Sequence, residues 1–354
     1  MKKIVCMALF CLNIANAYAS VDENLIYEML STVNTDYLQP VNNADLVVNG
    51  LQAVSKLDSD IIISKGSDKF YLYYKKQIKK IIPQPTDERD VKAWSETAAK
   101  IANEASKLSD KVALKDFEIP DLMMKEIVIK LDKFSHYYSE YDYSEEMEEN
   151  AIYTLYSDRK IDDVLYLRIR IFNKQTAKAV QGSLERNKPY AAVILDLRGN
   201  SGGILNEALK VADFFTENEI ITYTAGRNND NVHYYTSKED SLYDGPLAVL
   251  VDGDTASAAE VLAAGLQEQS RAKVIGTQTF GKGTIQNVIQ MKNGGKLVLT
   301  TEQFFTPSGK VIHQNGVSPD ICVSKDAEGK CKKESRLWEE HDIETAIKFL
   351  KNEL

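Results

Sequence analysis

The sequence predicts an α/β fold, a mostly parallel sheet clad by helices and preceded by a helical N-terminal region. Three observations carry that reading. Residues 191–197 and 247–251 are almost unbroken apolar runs, the pattern of strands buried on both faces. Stretches with helical periodicity alternate with these runs, which calls for right-handed crossovers and parallel pairing. Upstream of Tyr143 the apolar residues instead recur at three-and-four spacing.

Taken in order, residues 23–33, 43–57, 69–82, 89–108 and 120–134 read as helices. Pro40, Pro83, Pro85 and Pro120 punctuate them. The tyrosines and methionines here read as core packing. The acidic run of Glu145, Glu146, Glu148 and Glu149 reads as a solvated helix face or linker rather than a metal site. The texture changes at Asp163. Residues 164–169 read as a strand, 173–185 as a helix and 191–197 as a buried strand. Arg198-Gly199-Asn200-Ser201-Gly202-Gly203 is a tight turn leading into a helix over 204–215. A second buried strand over 247–251 feeds a helix over 257–267, and 273–276 is a third short strand. Residues 284–291 and 296–305 flank Asn293-Gly294-Gly295, a hairpin signal. A helix over 335–351 closes the chain.

At 354 residues and 44% hydrophobic, the chain is long enough for one large domain or two. Its net charge of -9 and lack of a basic block argue against nucleic acid as a partner. Lys2 and Lys3, an apolar run over 4–14 and Ala17-Tyr18-Ala19 read as a cleavable secretory signal. That run is too short to span a bilayer, and Phe10 before Cys11 argues against lipoprotein processing. The expected location is therefore periplasmic or secreted, with a mature start near Ser20. Cleavage removes Cys6 and Cys11 and leaves Cys322 and Cys331. In an oxidising compartment two cysteines this close pair; two free thiols are the alternative reading. No cysteine or histidine cluster around them suggests a metal.

The chemistry centres on Ser257, where a buried strand turns into a helix, and on Lys282 in the loop Thr279-Phe280-Gly281-Lys282-Gly283. The carboxyl end of a parallel strand is where α/β folds place ligands. A helix start offers free N–H groups and a positive dipole end, which suit an oxyanion. Ala258 N–H is the natural first donor, and the Gly202-Gly203 turn the best source of a second. A serine hydroxyl needs a base, and a lysine serves as one when burial disfavours its ammonium, by roughly 3–5 pKa units at the extreme. Gln286, four residues on, is placed to hold the amine. A serine at a helix start also serves as an N-cap, and a lysine between glycines as a solvated charge. Spacing alone does not choose. His136, His233, His313 and His341 share no motif. Asp196 and Arg198 read as a buried pair fixing the glycine turn; Asp252, Asp254 and Glu260 read as capping or surface groups.

Those residues resemble the C-terminal processing peptidases, or tail-specific proteases, of family S41. The resemblance runs through Asp196-Leu197-Arg198-Gly199-Asn200-Ser201-Gly202-Gly203, Ser257-Ala258-Ala259-Glu260, Gly276 and residues 279–286. It continues through residues 305–312 and 316–321, and so covers roughly 163–325. A weaker likeness upstream includes residues 37–40, Leu57-Asp58 and residues 131–138. It implies Ser257 as nucleophile, Lys282 as base, Gln286 as the residue orienting the lysine, and oxyanion donors at Ala258 and in the glycine turn, Gly203 rather than Gly202. It also implies a core akin to the ClpP/crotonase group, protein or peptide substrates, and no cofactor. The expected division is a signal over 1–19, a helical region over 20–145, a protease core over 146–325 and a C-terminal segment over 326–354.

One departure is large. Relatives commonly carry a PDZ domain between helical region and core, but only 25 residues separate Tyr138 from Val164 here. A domain of at least ~50 residues does not fit there, so the likeness is to a PDZ-less member. The segment over 60–121 is then expected to gate the site or bind a partner. An adaptor protein or a homo-oligomer stays open as a partner. The rival reading is a non-catalytic ligand-binding or scaffold protein on the same fold.

Overall fold

The computed structural model describes residues 21–140, 142, 156–238 and 241–353. The signal and the acidic run at 145–149 lie outside these residues. The chain divides into two compact units. Of the described residues, one unit comprises 21–35, 41–140, 142 and 289–297, the other 36–40, 156–238, 241–288 and 298–353.

The first unit contains α1 (Glu23–Asp36), α2 (Asn43–Leu57), β1 (Ile61–Lys65), β2 (Lys69–Tyr74), β3 (Gln77–Pro83), α3 (Val91–Ser106), α4 (Asp110–Ala113), α5 (Ile119–Leu131) and β4 (His136–Tyr138). Side-chain caps start two of the helices: Asn42 accepts from the Asp45 N–H, and Asp90 from the Ala93 N–H. The helices bury Met29, Leu30, Val47, Leu51, Met123 and Ile127. Gly50 lets α2 and α5 close up, since a Cβ there would stand 3.1 Å from Ile127 and Met123 side-chain atoms.

Residues 69–82 are not a helix. They form the hairpin β2–β3, and β1 completes an antiparallel sheet in the order β1–β2–β3. The apolar spacing there fits both periods, and the aromatic and β-branched content decides for strand. Phe70, Leu72 and Ile82 are buried and alternate with outward residues. Lys75 and Lys76 take left-handed φ angles of 49° and 63°, the conformation a two-residue hairpin turn requires.

The second unit contains β5 (Tyr156–Ile161), β6 (Val164–Ile169), α6 (Thr176–Arg186), β7 (Ala192–Asp196), α7 (Leu205–Asp213), β8 (Ile220–Ala225), β9 (His233–Thr236), β10 (Leu247–Val251), α8 (Ala258–Glu268), β11 (Lys273–Gly276), β12 (Thr284–Gln290), β13 (Lys296–Phe305), β14 (Ile321–Cys322) and α9 (Glu340–Leu350). Its main sheet has the order β14–β11–β10–β7–β6–β5 and is parallel except at β5, which runs antiparallel to β6. Val193, Leu195, Val249 and Val251 pack against Val180, Val211 and Leu262 of the crossover helices. Ile194, Ala248, Leu250 and Ile275 face Ile343 and Ala346 of α9. Helices therefore cover both faces, which is why these strands read as continuous apolar runs.

β12, β13, β8 and β9 lie in that order in a second sheet. Gly294, at φ +83°, turns the β12–β13 hairpin. The closing helix starts at Glu340 rather than at residue 335. Residues 331–339 form instead an extended strap, whose backbone is spent on the loops of the site.

Candidate active site

Three loops leave the carboxyl ends of adjacent parallel strands β7, β10 and β11. The middle one carries Ser257, which sits at φ 56°, ψ −123° immediately before α8. That combination is a sterically costly one for a residue with a Cβ, and a sharp strand-to-helix turn of this kind lifts a hydroxyl clear of its backbone. Two neighbours hold the turn. The Ala256 N–H donates to the Asn200 carbonyl at 2.8 Å, and the Phe280 N–H donates to the Thr255 carbonyl at 2.9 Å. Thus the loop after β7 and the loop after β11 are both tied to it.

Glycine is obligatory in the first of these loops. A Cβ on Gly202 (φ +106°) would stand 2.7 Å from Ser257 Cβ and 3.2 Å from Ala258 N. A Cβ on Gly203 (φ +118°) would stand 2.3 Å from the Phe172 carbonyl oxygen. The two amides differ in use. Gly202 N–H donates to Asn200 Oδ1 at 2.8 Å. Among the described residues, the N–H groups of Gly203 and Ala258 meet no protein acceptor. Asn200 is fully buried, and its Nδ2 donates to the Ile169 carbonyl at 3.0 Å, anchoring the glycine turn to the end of β6.

Ser257 and Lys282 are joined through one carboxylate. Glu260, fully buried in the first turn of α8, accepts from Ser257 N–H at 2.9 Å and from Lys282 N–H at 2.8 Å. It also accepts from Gly281 N–H at 2.6 Å and from the Thr279 hydroxyl at 2.5 Å. Burial raises its pKa above the ordinary carboxylate value, while the donors from Thr279, Gly281, Lys282 and Ser257 pull against that rise. Lys282 itself is half-buried. Gln286 gives its amide to the hydroxyls of Thr284 and Thr300, at 3.0 and 3.1 Å.

Residues 163–323 match the family described as Peptidase family S41. The chain is 39% identical, over 171 residues, to the carboxy-terminal-processing protease of Bartonella bacilliformis, a match covering 46% of this chain and 39% of that protein. Over residues 163–323 the chain is similar to peptidase family S41. A second relative, the carboxy-terminal processing protease CtpA of Bacillus subtilis, is 32% identical over 170 residues, 48% of this chain and 36% of its own. The chain thus spans well under half the length of either relative. Among solved structures, a lipoprotein from Streptococcus agalactiae shares the fold over 90% of this chain and 99% of its own, with a TM-score of 0.53 and 17% identity.

The strap over 331–339 crosses the ends of the main-sheet strands. Beside β11, Gln278 N–H donates to the Lys332 carbonyl at 2.9 Å. After β10, Gly253 N–H donates to the Glu334 carbonyl at 2.8 Å, and Arg336 N–H to Asp252 Oδ2 at 2.9 Å. After β7, Arg198 Nη1 donates to the carbonyls of Arg336 and Glu339, at 3.1 and 2.7 Å. On β6, Arg168 Nη2 donates to the Leu337 carbonyl at 3.0 Å. A Cys322–Cys331 disulfide tethers one end of the strap to β14. At the other end Asp342 of α9 accepts from Arg198 at 3.2 Å.

Asp196 and Arg198 form the buried pair the sequence suggested, with Nε and Nη2 donating to the two carboxylate oxygens at 2.9 and 2.7 Å. Asp252 and Glu260 cap turns as expected, but both are fully buried hubs rather than surface groups. Asp252 Oδ1 accepts from the N–H groups of Gly199, Asp254 and Thr255. Sequence reading assigned no role to Asn200, Thr255 or Thr279. Their only signal was polar side chains within the glycine-rich and serine-bearing turns that follow the buried strands.

Proposed function

We propose that this chain is an exported serine endopeptidase that hydrolyses peptide bonds of protein substrates with a Ser257–Lys282 dyad. The observation that carries the reading is the strained Ser257 turn, flanked by the two unspent amides of Ala258 and Gly203 and tied to the lysine loop by Glu260. The names of the matched relatives, both processing proteases, support the proteolytic part of this reading.

In this reading Ser257 Oγ attacks the scissile carbonyl carbon while its proton passes to the Lys282 amine. The carbonyl oxygen takes the negative charge and is met by the amides of Ala258 and Gly203, already oriented and needing no reorganisation. Collapse breaks the C–N bond; Lys282 returns the proton to the departing amine, leaving an ester on Ser257. Water, deprotonated by Lys282, then attacks the ester and restores the serine. Gln286 steadies the Lys282 amine through its Oε1, which accepts from the amine while Nε2 stays donated to Thr284 and Thr300.

The test uses the purified chain with Ser257→Ala and Lys282→Ala on an unfolded protein substrate, with mass spectrometry of the acylated serine. Cleavage and a Ser257 adduct lost in both variants support the reading. Ligand binding without cleavage in all three forms would return the chain to the scaffold alternative.

A further inference from the structure

We propose that the outer face of the β1–β2–β3 sheet docks on an anionic lipid surface. The inner face is spent on the first unit's own core, where Phe70 meets Trp94 edge-on with ring centroids 6.4 Å apart. The strand register sets the outer face out in two rows. Ile62 pairs with Tyr73, which pairs with Ile78; Ser64 pairs with Tyr71, which pairs with Ile81. Three isoleucines on one face are left half in solvent: Ile62 is 48% exposed, Ile78 50% and Ile81 52%. A single exposed isoleucine is ordinary, but three side by side around two tyrosines make a patch.

The charge around the patch is one-sided. Residues 65–80 carry six lysines and one acid, Asp68, in a chain whose net charge is -9. Lys65, Lys69 and Lys80 are paired with Asp45, Asp68 and Glu104. Lys75, Lys76 and Lys79, at the hairpin end of the sheet, are exposed, and among the described residues none of them is paired with a carboxylate. Apolar tips, tyrosines between them and lysines at the rim suit the boundary between headgroups and acyl chains of an anionic bilayer.

Two other occupants fit less well. A second copy placed face to face would bring these lysines against their own symmetry mates. A polypeptide held by a sheet adds to an edge strand through backbone hydrogen bonds, whereas this patch is on the face, with few polar groups to orient a chain.

The experiment is sedimentation of the full chain with phosphatidylcholine vesicles, with and without phosphatidylglycerol, at low and high salt. Binding is expected with phosphatidylglycerol, and its loss at high salt. Lys75→Gln, Lys76→Gln and Lys79→Gln together should weaken it by about fivefold per lysine. Ile78→Gln with Ile81→Gln should weaken it too, with the circular dichroism spectrum unchanged because both side chains are half exposed. Ser257→Ala should bind like the parent, which separates this proposal from the catalytic one. Equal binding to both vesicles, or variants binding like the parent, would overturn it. So would retention on polyglutamate without vesicle binding, which assigns the face to an acidic polypeptide, or self-association abolished by the isoleucine changes, which assigns it to a second copy.

Discussion

At the scale of single residues, the site depends on backbone positions that only particular side chains permit. Gly202 lies against Ser257 so closely that one methyl group would displace the serine. Gly202→Ala should therefore lower kcat by about a hundredfold, the cost of roughly an ångström of misplacement, and leave KM little changed. Steady-state kinetics on a peptide substrate reads both. Glu260 is the second sensitive position, because four donors converge on it. Glu260→Gln places an NH2 group against N–H donors and should cost about 1–3 kcal/mol. Its pH dependence has a definite sign. Because the folded carboxyl binds its proton more tightly than the unfolded one, the native state gains from Glu260 below the ordinary carboxylate value and loses that gain as the pH rises through the raised value. Urea unfolding of parent and Glu260→Gln across the acid range should show the parent's advantage largest at the acid end. An advantage that grows with pH would mean the donors, not burial, dominate the group.

At the scale of elements, the strap explains how three separate loops keep one geometry. It touches the ends of β11, β10, β7 and β6 in turn and is fixed at both of its own ends. Opening the Cys322–Cys331 link frees one end. Cys322→Ser with Cys331→Ser should cost about 2–3 kcal/mol from the short loop it closes. It should also lower kcat more than it raises KM, since the strap backs the loops rather than touching substrate. Thermal unfolding and kinetics on the same preparation separate the two effects. Much of the element map was legible in the sequence. Residues 43–57, 164–169, 247–251, 273–276 and 296–305 have the boundaries their apolar patterns imply. The strap was not legible, because its bonds run from backbone groups to residues far away in sequence, and no local pattern records them. The β2–β3 hairpin was misread for a different reason: its apolar residues satisfy helical spacing, and only the strand preference of tyrosine and isoleucine and the left-handed Lys75-Lys76 turn reveal it.

At the scale of the whole molecule, the loops of the candidate site were readable because glycine, serine and lysine sit there in a dense local motif. The sheet face was not, because its meaning depends on a register that brings Ile62, Ile78 and Ile81 together from three strands. Its setting is an acidic protein: 52 acidic against 43 basic residues give a sequence pI near 5.2. The chain as a whole is then repelled by an anionic bilayer at neutral pH, while the lysines of one hairpin are attracted. Over a separation beyond a Debye length, about 8 Å at physiological salt, the distant acids are largely screened, so the local lysines decide the contact. Lowering the salt strengthens the lysine attraction and also lengthens the range over which the net charge opposes it. Lowering the pH toward 5.2 removes the net negative charge while the lysines stay protonated. Affinity for phosphatidylglycerol vesicles should therefore rise as the pH falls from neutral toward the pI at constant salt, and the rise should be steeper at low salt. Vesicle sedimentation across that range measures it. Affinity that stays flat or falls would show that acids near the hairpin, and not the charge of the whole chain, set the balance.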